Sequence, residues 1–297
     1  MLATDYAPDW SAACHEADAS FAIPLCISPT FVHELLGLCR RERVDLLVPT
    51  IDPELSALSA HIEAFRTSGT EVVISGPDVV RIARDKLATA RHLAAAGIPV
   101  PKTALPDEVE ISGWDWTWPL LVKPRDGSGS TGILKVESRD QLAPFLGSED
   151  HVVQTLMTGV EYTVNVFFDR AGVLHCAVPH QRSEIRAGEV AKGVTERVPG
   201  LWRIAQALGR SLPGACGPLC FQAFMAEDGR MAVFEINARF GGGYPLAHQA
   251  GAPFTRWLLE EAIGAPLTAH DDWRAGVRML RYDAAVFPDE PAEAGTV

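Results

Sequence analysis

The sequence lacks an excess of basic residues. Its 297 residues contain 26 lysines and arginines against 38 aspartates and glutamates, which gives a formal net charge of -12 at pH 7. Binding to a nucleic-acid backbone requires clustered basic side chains, so this balance argues against a nucleic-acid partner. A local basic pocket remains compatible with an acidic protein.

The sequence also lacks long apolar runs and paired cysteines. No apolar stretch approaches the ~20 residues that a membrane span requires, and the N-terminus shows no charged-then-apolar signal pattern. The six cysteines are scattered and none of them forms a C-x-x-C pair, which is typical of reduced, buried thiols in a cytosolic protein. We therefore expect a soluble cytoplasmic protein without a membrane partner.

The first 76 residues alternate between helical and strand patterns. Apolar residues recur on one helical stripe within residues 30–43, and a second helix is predicted over residues 54–67. Short apolar runs at residues 2–4, 44–49 and 71–75 predict strands, so this part is an α/β layer with a parallel sheet. The strand and helix that normally precede such a unit are missing. Either the domain is a reduced version, or its start lies upstream of this sequence.

The remainder begins with helix and continues mainly as strands. A helix is predicted from Pro77 to Gly97, where the glycine would cap the C-terminal end. A further helix over residues 247–263 and a strand over residues 277–282 close the fold. Residues 286–297 are polar and rich in proline, which predicts a disordered tail. Five strands are predicted between the two helices, with the sequences HVVQTL, EYTVNVFF, VLHCAV, CFQAFMA and MAVFEIN.

The segment LLVKPRDGSGSTGILKV contains the spacing Gly127-x-Gly129-x-x-Gly132, which also occurs in dinucleotide-binding turns. Such a turn requires a helix directly after the third glycine, whereas the residues that follow Gly132 favour a strand. The glycines therefore join two strands as a hairpin lid whose backbone N–H groups can wrap an anion. Lys123 precedes the glycines, while a protein kinase has its lysine after them. Both the Rossmann and the kinase interpretations are excluded. A hairpin in which the glycines only form the turn and Lys123 is solvated remains the alternative to the lid.

The segment CFQAFMAEDGRMAVFEINARFGG predicts two strands around the turn AEDG. Glu235, Asn237 and Arg239 then alternate toward one face. A carboxylate and an amide oxygen beside phosphates suit Mg²⁺, which prefers oxygen ligands and keeps several waters. Arg239 is placed to neutralise a transferring phosphoryl group; the alternative is that it pairs with a surface carboxylate.

These motifs, in this order, resemble those of the ATP-grasp superfamily. The similarity is greatest to the nucleotide-binding domains of carbamoyl-phosphate synthase and to related amino-acid ligases, the pyrrolysine-pathway ligase among them. It covers residues 2–265 and implies an α/β plus α+β fold, with a short Rossmann-like N-terminal domain (1–76) and an ATP-grasp domain (77–285). Within the latter, a small lid lobe at about residues 105–155 and the larger lobe would clasp ATP between them.

The resemblance also implies roles for individual residues. The cofactors would be ATP and Mg²⁺, or Mn²⁺ in its place. Gln222 would join Glu235 and Asn237 at the metal. Gln154 stands where the family often has a glutamate, next to the hinge backbone that would meet adenine, and Glu161 would hold the ribose. The residues expected to bind ATP are Lys86, Lys123, Gly127, Ser128, Gly129, Ser130, Gln154, Thr155, Leu156 and Glu161.

A highly charged segment, HQRSEIRAGEVAKGVTERVP, lies between predicted strands. As a loop it is either simply solvated or, by the resemblance, placed over the γ-phosphate and the acceptor substrate. In the second case Arg182 and Lys192 would bind a carboxylate or phosphate, and together with Arg239 they form the expected catalytic set. His248 is expected on a helix surface rather than as a base.

The resemblance implies a carbon–nitrogen ligase. A substrate carboxylate would attack the γ-phosphate of ATP to give an acyl phosphate and ADP, and an amine would then displace phosphate. Small-molecule carboxylates and amines would be the substrates, and a homodimer is expected from related folds. Two alternatives remain open: a carboxyphosphate-forming enzyme like carbamoyl-phosphate synthase, and a non-catalytic nucleotide-binding or scaffold subunit.

Overall fold

A computed structural model describes residues 1–111, 115–127 and 131–288 of the chain. The N-terminal part contains two pairs of short parallel strands, β1 with β2 and β3 with β4. This confirms the predicted α/β pattern, including the strand at the very start. The elements are β1 Leu2–Asp5, α1 Ala12–His15, β2 Ala19–Ala22, α2 Phe31–Glu42, β3 Leu46–Leu47, α3 Asp52–Ser59, α4 Ile62–Thr67 and β4 Glu71–Val72.

The helix predicted over residues 54–67 is two helices, α3 and α4. The Ser59 hydroxyl donates to the Ser56 carbonyl at 3.2 Å, and the His61 ring nitrogen Nδ1 contacts the Ala57 carbonyl at 2.8 Å. These local side-chain contacts compete with helix continuation at the break. The apolar stripe of α2 was predicted correctly: its buried members pack with Leu55 and Phe65 in a cluster that extends to the large sheet.

The helix predicted from Pro77 to Gly97 is also interrupted, giving α5 Pro77–Arg84 and α6 Lys86–Ala95. Asp85 between them is extended, and its carboxylate accepts hydrogen bonds from the Leu87 and Ala88 N–H groups, at 2.9 and 3.1 Å. Asp85 is therefore an N-cap that starts a new helix. Gly97, with φ +73°, ends α6 as predicted.

A four-stranded antiparallel sheet follows, in the order β5-β8-β6-β7. Strands β6 and β7 pair directly, so the glycine segment joins strand to strand as predicted. A separate apolar cluster, which includes Leu120, Val122 and Val153, stabilises this lobe. Its elements are β5 Thr103–Ala104, α7 Glu108–Ile111, β6 Leu120–Pro124, β7 Leu134–Val136, α8 Arg139–Leu142 and β8 His151–Thr155.

The third part is a six-stranded sheet in the order β13-β12-β9-β10-β11-β14. The five strands predicted from sequence are all present. The first is β8 of the four-stranded sheet, and the other four are β9, β10, β12 and β13 of this sheet. The elements are β9 Val160–Phe168, β10 Leu174–Arg186, β11 Glu189–Thr195, α9 Pro199–Ser211, β12 Gly217–Met225, β13 Met231–Asn237, α10 Tyr244–Gln249, α11 Phe254–Ala262 and β14 Arg278–Leu280.

Two expectations for this part were wrong. The charged segment predicted as a loop is the end of the β10–β11 hairpin, because a strand with one exposed face accommodates alternating charged residues. The helix predicted over residues 247–263 is divided into α10 and α11, since Gly251 has φ +106° and Pro253 follows it. The predicted tail after residue 285 has no regular structure up to residue 288, and the rest of it lies outside the described residues.

Gly159 connects the two sheets at the start of β9. Its φ is +127°, and a Cβ atom there would lie 2.2 Å from the Met225 carbonyl oxygen. Neither the backbone conformation nor the space permits a side chain, so this glycine fixes the geometry of the connection.

We expect Gly159→Ala to lower the melting temperature strongly, since strained backbone and a backbone clash together cost about 2–3 kcal/mol or more. Gly147→Ala is the matched control, because Gly147 also has positive φ (+77°) but open space around it. Its cost should be only about 1 kcal/mol. Equal melting temperatures for the two variants in differential scanning fluorimetry would contradict the steric argument.

Candidate functional site

A cleft opens between the four-stranded sheet and the six-stranded sheet. The small sheet contributes Leu121, Lys123 and Pro124, and Lys86 lies at the start of α6 on the same side. The opposite wall comes from strands β9 to β13 and from the glycine-rich segment after β13. Of the predicted site residues, those that line this cleft are Lys86, Lys123, Gly127, Glu161, Arg182, Gln222, Glu235, Asn237 and Arg239.

Lys123 is a buried cation of the cleft, with 7% of its surface exposed. Its ammonium group donates to the Gln154 amide oxygen at 2.7 Å and lies 5.3 Å from the centre of the Phe234 ring. Burial lowers the pKa of Lys123 to about 8, although the Glu235 carboxylate opposes this change. Gln154 itself donates to Thr103 and is not part of the cleft wall. It therefore orients the lysine without neutralising it.

Lys86 joins the start of α6 to the glycine segment. Its ammonium group donates to the Gly127 carbonyl at 2.7 Å, and its backbone N–H donates to the Arg125 carbonyl at 3.0 Å. Arg125 in turn forms a bidentate ion pair with Asp85, with contacts of 2.7 and 3.0 Å. The helix start and the first residues of the predicted lid are thus held as one unit.

Glu235 lies between the basic residues of the cleft. Burial raises the pKa of this carboxyl group, while Lys86 and Lys123 act in the opposite direction. Gln222 lies directly across from it on β12. In the amide orientation that satisfies both neighbours, Gln222 donates to Glu235 at 3.0 Å and accepts from Arg182 at 2.6 Å.

Arg182 is placed in the cleft as predicted, but its contacts are internal. Its Nε atom lies 3.1 Å from the Glu161 carboxylate, and its other nitrogens donate to Thr163 at 3.3 Å and to the Gly188 carbonyl at 2.7 Å. The side chain is only 5% exposed. Burial raises the pKa of Glu161, with Arg182 opposing. This arginine organises the wall of the cleft.

Arg239 forms an ion pair with Asp52, which is the alternative role left open from the sequence, but the pair is mostly buried and its partner was not identified. Its guanidinium donates to the Asp52 carboxylate and, at 2.7 Å, to the Phe240 carbonyl, and both charged side chains are about 15% exposed. Asp52 is the first residue of α3 and follows the parallel strand β3. A polar residue just after a parallel strand is a recognised position for functional groups. That signal could have identified Asp52.

Three other residues of the predicted site lie elsewhere. Lys192 pairs with Glu184 on the hairpin and does not line the cleft. The N–H group of Thr155 donates to the Lys102 carbonyl at 3.0 Å, so it is not free for an adenine edge. Leu156 is also absent from the cleft wall. His248 is exposed on α10, as expected, and its ring contacts the Tyr244 hydroxyl at 3.1 Å. Ser128, Gly129 and Ser130 lie outside the described residues.

The three glycines after Arg239 each make room for a polar side chain. A Cβ atom would lie 2.8 Å from the Cys220 sulfur at Gly241, 1.8 Å from the Glu189 carboxylate at Gly242 and 2.5 Å from the His180 ring at Gly243. Burial lowers the pKa of His180 to about 3, so this histidine is neutral. The glycine run therefore permits close packing of the segment against β10, β11 and β12.

The oxygen donors fit a hard cation that retains water. Within the described part of the chain, no group of three or more histidine, cysteine, aspartate or glutamate side chains could hold a metal alone. Glu235 and Asn237 offer one carboxylate and one amide oxygen in the same cleft. Mg²⁺ commonly binds one or two carboxylates together with substrate phosphates, so this donor set is adequate only when phosphates contribute.

Two family models match successive parts of the chain. Residues 83–243 match the family model of the ATP-grasp domain, and residues 1–73 match that of the PylC-like N-terminal domain. No helix among the described residues has the length and apolar character needed to cross a bilayer.

Individual relatives are more distant. The chain is 24% identical to the carbamoyl phosphate synthase large chain of Thermotoga petrophila, over 91% of this chain and 27% of that protein. It is 27% identical to the D-alanine--D-alanine ligase of Corynebacterium aurimucosum, over 55% of this chain and 49% of that one. The chain thus spans about a quarter of the length of its first curated relatives.

Solved structures share the fold at low sequence identity. The biotin carboxylase domain of Hydrogenobacter thermophilus 2-oxoglutarate carboxylase, in complex with MgADP, ADP and bicarbonate, superposes with a TM-score of 0.74 at 15% identity, covering 93% of this chain and 67% of that one. The L-amino acid ligase from Bacillus licheniformis gives 0.66 at 17% identity, covering 87% and 66%.

The Asp52–Arg239 pair is expected to stabilise the contact between α3 and the cleft. A double-mutant cycle with Asp52→Asn and Arg239→Met should give a coupling free energy of about 1–3 kcal/mol in denaturant unfolding, because both charges are mostly buried. The exposed pair Asp78–Arg81 is the control, and its cycle should give about 0.5 kcal/mol or less. Similar coupling in the two cycles would contradict this expectation.

Proposed function

Because this chain belongs to the family of ATP-grasp domains, we propose that it is an ATP- and Mg²⁺-dependent carboxylate–amine ligase. It forms an acyl phosphate and releases ADP and phosphate. The observation that supports this most is the convergence of Lys86, Lys123 and Glu235 in one cleft between two sheets.

ATP binds in the cleft with its phosphates toward the basic residues. Lys86, Lys123 and Arg182 provide three positive charges, and Glu161 and Glu235 provide two negative ones, so the formal charge of this end is +1. A triphosphate is attracted to such a cleft, particularly when a divalent cation compensates Glu235. The apolar side chains of Leu121, Ile133, Phe224 and Phe234 form the part of the wall that suits adenine.

Glu235 and Asn237 hold the metal together with the phosphates. When bound, Mg²⁺ supplies charge neutralisation for the phosphoryl group. Gln222 was expected as a third ligand, but its contacts with Glu235 and Arg182 give it a different role in this proposal. It orients the Glu235 carboxylate by donating a hydrogen bond to it, as residues next to a metal ligand commonly do.

The chemistry requires positioning and charge, with no protein nucleophile. A substrate carboxylate oxygen forms a bond to the γ-phosphorus, and the bond from that phosphorus to the β–γ bridging oxygen breaks, leaving ADP. Lys123 and Arg239 stabilise the charge on the transferring group. A neutral amine then attacks the acyl carbon, phosphate leaves, and the new amide nitrogen loses its proton.

Carboxyphosphate formation is the second candidate. The fold similarity to a biotin carboxylase domain bound to bicarbonate supports it. ADP release that depends on bicarbonate alone would favour this candidate over amide formation. ADP release under neither condition would favour a nucleotide-binding subunit without activity.

We also propose that the N-terminal domain covers residues 1–76 and the ATP-grasp domain residues 77–285, and that the protein forms a homodimer. A cytoplasmic location is proposed from the cysteines, all six of which are free thiols.

The ligase proposal is tested by ADP release. Purified protein with MgATP and a panel of amino acids, alone and in pairs, should release ADP and form an amide that mass spectrometry detects. Lys123→Met and Glu235→Gln should each lower kcat/KM by at least ~100-fold, since each removes a charge that contacts the phosphates or metal.

Exposed residues provide the controls. Lys135→Met and Glu227→Gln remove the same charges outside the cleft and should leave ADP release within about twofold. If the Lys123 and Glu235 variants behaved like these controls, the proposed site would be wrong.

Nucleotide affinity should fall as pH rises. In the free protein the pKa of Lys123 is about 8, below its ordinary value of 10.5. The charged form that attracts phosphates predominates at pH 7 and becomes the minority at pH 9. MgADP affinity measured by calorimetry should therefore decrease by about tenfold from pH 7 to pH 9.

Arginine at this position stays charged throughout that range. Lys123→Arg should therefore lose most of the pH dependence, whatever its absolute affinity. An unchanged slope in this variant would assign the titration to another group.

A further inference from the structure

Glu189 lines the cleft, and its side chain is exposed to solvent. It is the first residue of β11 and directly follows the two-residue turn formed by Ala187 and Gly188, with φ of +50° and +80°. Positive φ at both central positions is the requirement of a type I′ hairpin turn, which sets the register of the flanking strands. Arg186 accordingly pairs with Glu189.

The turn is tied into the cleft from within. Arg182, whose side chain is buried, donates to the Gly188 carbonyl at 2.7 Å. The same guanidinium contacts Glu161 at 3.1 Å in the middle of the cleft. The backbone next to Glu189 is therefore held by a group that belongs to the cleft wall.

The Glu189 carboxylate packs against the backbone of Gly242. A Cβ atom at residue 242 would lie 1.8 Å from the nearer carboxylate oxygen, so glycine is required there for Glu189 to keep its position. Glu189 and Arg239 both line the cleft. Among the residues that the structure describes, no side chain forms a hydrogen bond or an ion pair with the Glu189 carboxylate.

Arg239 faces two carboxylates. Its guanidinium pairs with Asp52 and lies within electrostatic range of the Glu189 carboxylate. Counting Arg239 as +1 and Asp52 and Glu189 as -1 each, this group of residues has a formal charge of -1. The group with Lys86, Lys123 and Arg182 has +1 once Glu161 and Glu235 are included. The first group therefore favours a cationic group and the second favours phosphates.

On the basis of the ligase function proposed above, we infer that Glu189 binds the ammonium group of the carboxylate substrate, which is therefore an amino acid. An amine must be neutral to attack an acyl phosphate, and a neighbouring carboxylate favours the protonated form. The ammonium group bound at Glu189 therefore stays protonated and is not the amine that attacks the acyl phosphate. The carboxylate of the same molecule lies toward Arg239 and the γ-phosphate.

The test compares amino acids with matched hydroxy acids that have the same side chain. ADP release is measured for alanine and lactate, leucine and 2-hydroxyisocaproate, and phenylalanine and phenyllactate, with MgATP, the protein as purified and the same excess of hydroxylamine in every assay as the amine that displaces phosphate. Wild type should favour the amino acid of at least one pair by tenfold or more in kcat/KM. Charge-assisted hydrogen bonds are among the stronger polar contacts, so Glu189→Gln should reduce that ratio at least tenfold.

Two further variants sharpen the result. Glu227→Gln removes a glutamate from the turn between β12 and β13, outside the cleft, and should leave the ratio unchanged. Gly242→Ala displaces the Glu189 carboxylate and should lower the ratio in the same direction as Glu189→Gln. The KM for ATP should stay within about threefold in Glu189→Gln.

The outcomes separate the two proposals. If wild type releases ADP but shows no preference for amino acids, or if Glu189→Gln keeps the preference, the role of Glu189 is wrong and the ligase function stands. If wild type releases no ADP with any of these substrates or with the wider panel of amino acids, the ligase function itself is wrong and the inference falls with it.

Discussion

The burial of opposite charges within one cleft is the constraint on which the rest of the site depends. Removing a charged side chain from water costs several kcal/mol unless a partner compensates it. Lys123 is buried and Glu235 is partly buried. Burial moves their pKa values in opposite directions, in each case favouring the neutral form. Each lies within electrostatic range of the other, and that attraction favours the charged forms. Each charged side chain of the cleft therefore depends on its oppositely charged neighbours to remain charged.

This requirement explains the neutral residues that surround the charged ones. Gln154 accepts a hydrogen bond from Lys123, and Gln222 connects Glu235 to Arg182. A carboxylate at either position would add a third anion and offset the positive charge that a nucleotide needs. An amide satisfies the same hydrogen bonds without changing the formal charge. The substitution of Gln154 for the glutamate common in the family therefore leaves more of the Lys123 charge for phosphates.

The sequence was sufficient to predict those elements whose local pattern agrees with the tertiary fold. The β6–β7 hairpin and the inward residues Glu235 and Asn237 follow from alternation and glycine spacing, and the cleft contains Lys86 and Lys123 as expected. The break at Asp85 was missed because the apolar period continues across it. The Asp85 carboxylate caps the start of α6 locally, and a long-range pair with Arg125, just after β6, holds that carboxylate in place. Asp52 was missed for the same reason: its partner Arg239 is 187 positions away.

Composition alone gave a wrong prediction for the charged hairpin. Residues 180–199 look like a solvated loop, yet Arg182 points into the cleft while Lys192 pairs with Glu184 outside it. The two residues lie on different strands, and register shifts between Arg182 and Glu184 and between Glu184 and Ile185 interrupt the alternation of the hairpin. Ile185 therefore lines the cleft with Arg182, while Glu184 pairs with Lys192 outside it. The buried Arg182 guanidinium contacts both Glu161 in the cleft and the turn that precedes Glu189. The proposed selectivity for an ammonium group therefore depends on the backbone geometry of this turn as well as on charge.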